Sequence, residues 1–483
     1  MLKHWTSYAD YKHFIESAVL SMNQSELKRF HSYNHSLFKL LSLNLDILKD
    51  ILLLYYSNTG RPSKNQPEIF RSFILMADMG ETSITNWVTA LQSDDILATL
   101  IGCSPHNLPS LGSYYDFIDR LWLYDDSYKH KKLYPSNKNF KPRKKLKNGS
   151  KLKNKNASIT KRLFEFMKDG RTFSARFERL LQEIFVAVAV APSLKLGLLD
   201  ENNLTIAGDG SSLHIHASHS GSKHCICRSK GIFRCNCPRT FSDPDASIGW
   251  DSDLNTWYYG HTLYTISSYN KAFKIDLPLH ISIFNAKRHD SVSGMVALAE
   301  IKQLLPKARF KNVCFDSAND NISTYQLCKQ LNITPFIDFN KRNTVYKNDI
   351  SISPNGTPIC KSSMPMVHWG FCPDRQRHKW RCPKVARKEI ACDYSCSDSD
   401  YGRTFYTYCN DNPRLFPPVY RDSAKFKKIY ATRTACERIN NRILNDYKIH
   451  QNFARGRKRI SFFSIIAGIN IHLDARVKVQ NLT

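Results

Sequence analysis

Residues 310–339 read FKNVCFDSANDNISTYQLCKQLNITPFIDF. Two short runs rich in β-branched and aromatic residues, Asn312 to Phe315 and Thr334 to Phe339, enclose a segment from Ser323 to Leu331 with helical spacing. Strand, helix and strand in that order form the unit of a sheet with helices on its faces. Upstream, Ser291 to Leu305 reads as a helix. Leu279 to Phe284, His261 to Ser267 and Leu204 to Ala207 read as strands, the last ending in Gly208-Asp209-Gly210. Three strands followed by helix, strand, helix and strand predict an α/β sheet.

Downstream, residues 341–425 carry Cys, Pro and Gly among scattered short apolar runs and read as an inserted module. A strong helix is expected from Ala424 to Ile449, and a basic helix closes the chain. The N-terminal part, residues 1–128, reads as helical. Apolar residues recur at three- and four-residue spacing through Phe38, Leu41, Leu45, Leu48, Leu52 and Tyr55. Shorter helices follow at Glu68 to Met79, Ile84 to Gln92 and Ser113 to Leu121. Several short helices with polar turns suit a helix-turn-helix DNA binder and a plain helical bundle about equally.

Between these parts lies a basic linker, residues 129–162, with fourteen Lys and Arg and no acidic residue; Lys144 and Lys145 are at its centre. A stretch so charged and so poor in apolar residues cannot bury a core. It is either a solvated spacer or an arm lying along DNA phosphates, and the need of its like charges for a counter-charge favours the arm. The whole chain agrees: 70 Lys and Arg against 42 acidic residues give a net charge of +28 over 483 residues. A polyanionic partner relieves the self-repulsion that such an excess causes.

No stretch reads as a membrane span. The longest apolar run, Leu41 to Tyr56, is broken by Asn44, Asp46, Lys49 and Asp50. The N-terminus lacks the apolar region of a secretory signal, so a cytoplasmic location is expected, and with it reduced cysteines. Four of the 14 cysteines fall within thirteen residues, as Cys225-x-Cys227 and Cys235-x-Cys237, inside a Cys-rich insertion at residues 221–248. They are able to close a tetrahedral zinc site; because the pairs are spaced more tightly than the usual C-x2-C, reduced and unliganded thiols are the equal alternative. Cys360, Cys372, Cys382, Cys392, Cys396 and Cys409 are spaced too irregularly to predict a second metal site.

Asp209 and Asp316 each follow a predicted strand. A carboxylate in that place is either a turn residue or cap, or a ligand for a hard cation at the sheet's edge. On a helix from Tyr430 to Lys448, at about 100° per residue, Tyr430, Arg433, Glu437, Asn441, Leu444 and Lys448 share one stripe. An apolar stripe of Ile429, Cys436, Ile439, Ile443 and Tyr447 lies beside it. The polar stripe fits an exposed helix laced with ion pairs and a functional face equally well.

The run Tyr430-x2-Arg433-x3-Glu437 resembles the Y-x2-R-x3-E-x6-K signature of bacterial insertion-sequence transposases with a DDE active site. Gly208-Asp209-Gly210 and Phe315-Asp316-Ser317-Ala318 resemble the strands that carry the first and second aspartates of that family. Gly60-Arg61-Pro62 with Pro67 is similar to its N-terminal region, and Phe453 to His472 to its C-terminal helix region. The family lysine falls on Leu444 here, which makes Lys448, one turn further along the stripe, the candidate in its place. The resemblance implies an RNase H-like mixed sheet flanked by helices across residues 163–483. It implies two Mg²⁺ or Mn²⁺ ions about 3.5–4 Å apart on Asp209, Asp316 and Glu437, cutting element ends and joining them to target DNA. It further implies DNA contacts from Tyr430 and Arg433, a homodimer in the DNA complex, and a nucleoid-associated protein. A catalytically inactive DNA-binding descendant and an RNase H-fold nuclease share these features in part. No phosphate-cradling G-x4-G-K-[ST] loop is present.

Overall fold

The computed structural model describes residues 2, 4–123, 131–132, 158–171, 177–233, 235, 237–340, 351–353, 356–387, 392, 396–452 and 454–480. Most of the basic linker, including Lys144 and Lys145, lies outside the described residues.

Eight helices open the chain: α1 (Tyr8–Ser21), α2 (Gln24–His31), α3 (Asn34–Leu41), α4 (Asp46–Leu53), α5 (Gln66–Asp78), α6 (Ile84–Ser93), α7 (Asp95–Ile101) and α8 (Leu111–Arg120). The apolar run through Phe38 and Leu52 is split between α3 and α4. The break comes where the Asn44 side chain accepts from Asp46 N and starts a new helix. Leu45, Leu48 and Leu52 are buried, whereas Phe38 and Tyr55 stay exposed.

The two-residue strand β1 (Lys131–Lys132) is followed by α9 (Ile159–Lys168), α10 (Arg179–Phe185) and α11 (Ala191–Lys195). The main sheet begins with β2 (Leu204–His214). A small excursion carries β3 (Ser222–Lys223) and β4 (Arg239–Thr240), and the chain returns through β5 (Ser247–Asp251), β6 (Thr256–Asn270) and β7 (Ile275–Asn285). Then come α12 (Asp290–Leu304), β8 (Phe310–Phe315), α13 (Ile322–Gln330) and β9 (Thr334–Ile337). The sheet is mixed. β2 pairs antiparallel with β6 and parallel with β8, β8 is parallel to β9, and β6 also carries β5 and β7. The three strands, helix, strand, helix and strand of the sequence reading are therefore present in order.

Pro278 sits inside β7 and donates no ladder bond. The β6–β7 register shifts between Ile266 and Ser267, just where Pro278 pairs, so the irregularity absorbs the missing donor. β8 is buried along nearly its whole length, as a central parallel strand covered on both faces must be.

The inserted module holds a second sheet of β10 (Val367–Cys372), β11 (Arg377–Arg381) and β12 (Thr404–Tyr408), with α14 (Pro383–Arg387) between the last two strands. The helix expected from Ala424 to Ile449 is broken by changes of pitch. α15 (Ala424–Tyr430) passes through a 3₁₀ turn into α16 (Thr434–Asn441), which gives way to a π-helical turn at Arg442–Asp446.

The last helix, α17 (Arg457–Gln480), is not a basic surface helix. Its hydropathy and length would suit a membrane span, yet 94% of its most apolar window is buried by the protein's own elements. It packs on β7, α5, α3 and α10, and a helix that is apolar all round is one surrounded by core. The Phe462 ring meets Phe73 of α5 edge-on at 4.7 Å, and Arg476 donates to the Val188, Ala189 and Ser42 carbonyls. One continuous core therefore runs from the N-terminal helices through α17 to the sheet.

Candidate functional site: a carboxylate cluster on the central strands

β2 and β8 run parallel with Ala207 opposite Cys314. Asp209 stands two residues beyond Ala207 on β2, and Asp316 two residues beyond Cys314, just past the end of β8. Asp209 lies mid-strand, because β2 continues to His214; the expected strand end at Asp209 is not there. Asp316 does follow the last residue of β8, and Asn319 holds it by donating from Nδ2 to its Oδ1 at 2.9 Å.

The glycines beside Asp209 are there for space. A Cβ on Gly208 would lie 2.5 Å from the Phe315 ring, and one on Gly210 would lie 2.7 Å from Asp290 Oδ1. Asp290, at the first turn of α12, thus brings a fourth carboxylate against the Asp209 strand. The sequence reading missed it, since an acidic residue in a first helical turn is explained by the helix dipole alone.

α16 lies across β2, β6 and β7 and carries Glu437, which pairs with Arg433. Cys436 and Ile439 are fully buried beneath it. Asn440 locks the helix to two strands, accepting from Thr265 Oγ1 at 2.6 Å and donating to Ser211 Oγ at 3.0 Å. Arg433 bridges the cluster: one guanidinium nitrogen is 3.4 Å from Asp209 Oδ2 and the other 2.5 Å from Glu437 Oε1. Among the described residues no other Lys or Arg is within ion-pair reach of Asp209, Asp316 or Glu437. Tyr430 stacks on Phe426 and packs into the apolar patch that seats α15 on the sheet, leaving it half-buried beside Arg433.

Burial pushes the Asp209 carboxyl up to about 7, aided by the like charges of Asp316 and Asp290 and opposed by Arg433. Burial and Asp316 likewise push Asp290 up to about 6. Carboxylates gathered this way are costly unless a cation is present. The donor set is all oxygen and suits Mg²⁺ or Mn²⁺. The carboxylates are not drawn in tightly, however. Unlike the four thiols described below, the oxygens of Asp209, Asp316 and Glu437 do not all lie within 4.8 Å of one another. Arg433 stands between the first and third, where it supplies positive charge itself.

Lys448 is not on the Glu437 stripe. It lies past the π-helical turn in a left-handed conformation (φ +54°), and its Nζ donates to the Gly80 carbonyl at 3.1 Å. Two further aspartates are also committed elsewhere. Asp320 is buried between Arg414, Arg421 and Tyr325, and Asp446 is exposed beside Arg442. A second group of metal-type side chains, His35, Asp78 and Asp474, already holds the buried Lys39 ammonium on its two carboxylates.

Comparison of the chain with family models, with curated proteins and with solved structures returns no match.

Proposed function

We propose that this chain is a metal-dependent phosphoryl-transfer enzyme with an RNase H-like catalytic domain. More narrowly, we propose a DDE transposase that cuts DNA at its element's ends and joins the freed 3′ ends to a target. The observation that carries the reading is the placement of Asp209 on β2 and Asp316 at the end of β8, matching positions of two adjacent parallel strands, with Glu437 linked to Asp209 through Arg433. A mixed sheet flanked by helices and interrupted by a module before α15 and α16 supports the RNase H-like assignment.

Asp209, Asp316 and Glu437 would hold the divalent ions, with Asp290 beside them as a further carboxylate. Two such ions, when bound, activate the attacking water or 3′-hydroxyl and steady the leaving oxygen. Asn319 holds Asp316, and Asn440 fastens the helix that carries Glu437 to β2 and β6. Arg433, between Asp209 and Glu437, is suited to a DNA phosphate once cations satisfy the carboxylates. The partner class, double-stranded DNA, rests on the +28 charge and the basic linker, and pairing two element ends calls for a dimer.

An inactive DNA-binding descendant would gain nothing from keeping like charges buried at Asp209 and Asp290. The test is incubation of the full chain with duplexes taken from either side of its gene, a target plasmid and Mg²⁺ or Mn²⁺. Nicks at a fixed boundary followed by covalent joining to the plasmid are expected. Cutting without joining would make it a nuclease, and binding alone an inactive descendant.

A further inference from the structure

The excursion between β3 and β4 carries all four clustered cysteines. Lys230 N and Ile232 N both donate to the Cys227 carbonyl, closing a turn that sends the chain back alongside itself. The two tight C-x-C pairs therefore do not act as separate pairs. Cys225 Sγ faces Cys235 Sγ at 3.5 Å, Cys227 Sγ faces Cys237 Sγ at 3.5 Å, and all four sulfurs lie within 4.8 Å of one another. Four thiolates around a tetrahedral zinc, with Zn–S of about 2.3 Å, have sulfurs about 3.8 Å apart. A disulfide needs about 2.05 Å. The arrangement suits an ion at its centre and is too open for two disulfides. The C-x-C spacing that left the sequence reading undecided is thus compatible with one four-sulfur site. The same loop carries three basic residues: Lys223 donates to the Phe233 carbonyl, and Arg228 and Lys230 are exposed.

The excursion also has a second connection. β3 pairs with β4 through Ser222–Thr240 and Lys223–Arg239, and the other edge of β4 takes up β1 through Lys131–Thr240 and Lys132–Arg239. β1 belongs to the basic linker. A two-residue strand cannot hold an edge by itself, and the cysteine loop is what closes the β3–β4 pair.

We propose that Cys225, Cys227, Cys235 and Cys237 bind one Zn²⁺ as a tetrathiolate, and that this ion holds the β3–β4 pair on which β1 docks, fixing the basic linker to the catalytic domain. The proposal is independent of the carboxylate cluster.

The experiment uses the full chain, expressed with zinc and kept reduced. Metal analysis and thiol titration are run on wild type, on the double variant Cys235→Ser, Cys237→Ser, and on Cys103→Ser as a control in the N-terminal helices. Amide hydrogen exchange at residues 129–133 and 222–240 is followed before and after zinc is withdrawn from wild type with a strong chelator. This second arm needs no variant to fold. One zinc per chain is expected in wild type and Cys103→Ser, and none in the double variant. Chelation should speed exchange at least tenfold in both segments while the main sheet stays protected. Metal-free reduced protein with four freely titrating thiols in this loop would overturn the site, as would a mass four daltons lower from two disulfides. One bound zinc, with exchange at residues 129–133 unaltered by its removal, would overturn the docking role.

Discussion

The Arg433 guanidinium stands 3.4 Å from the Asp209 carboxylate, joining a helix to the central strand of the sheet. It also holds Glu437, so in the metal-free chain one side chain neutralises two of the three proposed ligands.

Replacing Arg433 by Met keeps most of the stem and removes the charge. The metal-free protein is expected to lose about 1–3 kcal/mol, the scale of charge-assisted hydrogen bonds left unmade. Mg²⁺ should then stabilise the variant more than it stabilises wild type, because no guanidinium competes for the carboxylates. Thermal melts across a Mg²⁺ titration give the answer. An equal or smaller Mg²⁺-induced shift in Arg433→Met would show that the arginine does not share the metal's place.

Asp290 and Asp320 make opposite predictions although both are poorly exposed aspartates near β8. Asp290→Asn should lower strand cleavage by roughly ten- to a hundredfold, about 1.4–2.7 kcal/mol, and leave the melting temperature unchanged or higher. Asp320→Asn breaks a buried network with Arg414 and Arg421. It should cost about 3–5 kcal/mol of stability, with the specific activity of the folded fraction retained. The reverse pattern would exchange their roles.

Much of the sheet is legible in the sequence because buried parallel strands are short, continuous apolar runs. β8 and β9 announce themselves in this way, and Asp316 falls where β8 must end. Asp209 was legible as a candidate but not as a mid-strand residue, since Gly-Asp-Gly looks like a turn until Phe315 and Asp290 are seen to need the space. Lys448 leaves the Glu437 stripe because the π-helical turn at Arg442–Asp446 breaks the constant 100° per residue and Lys448 itself is left-handed, outside the helix. That change of pitch leaves no trace in composition. α17 was read from its basic ends, whereas its burial depends on helices some four hundred residues earlier in the chain.

The pH dependence follows from Asp209, raised to about 7, and Asp290, raised to about 6. An unfolded Asp titrates near 3.9, so between that pH and about 7 the folded chain holds protons that the unfolded chain has released. Metal-free stability should therefore fall as pH rises through this window and level off above it. Mg²⁺ at the proposed site would bind the deprotonated groups, so its stabilising effect should grow over the same range. Urea unfolding from pH 4.5 to 8.5 tests this against Asp209→Asn, in which the slope should be much reduced. An identical slope in the variant would remove Asp209 as its source.

The central claim is that Asp209, Asp316 and Glu437 form one metal-binding catalytic unit, and neutral isosteres test it most directly. Asp209→Asn, Asp316→Asn and Glu437→Gln change charge with little change in shape. Strand cleavage of duplex DNA taken from the gene's flanks is measured for each with Mg²⁺ and with Mn²⁺, beside a gel-shift measurement of DNA affinity. Each variant is expected to lose a thousandfold or more in cleavage rate, at least about 4 kcal/mol of transition-state stabilisation. DNA binding should remain, because Lys and Arg supply it. Glu437 has a side chain 46% exposed and paired with Arg433. As a mere surface ion pair it would be worth about 1 kcal/mol of stability or less, with no effect on cleavage. Cleavage near the wild-type rate by any one of the three variants would contradict the account.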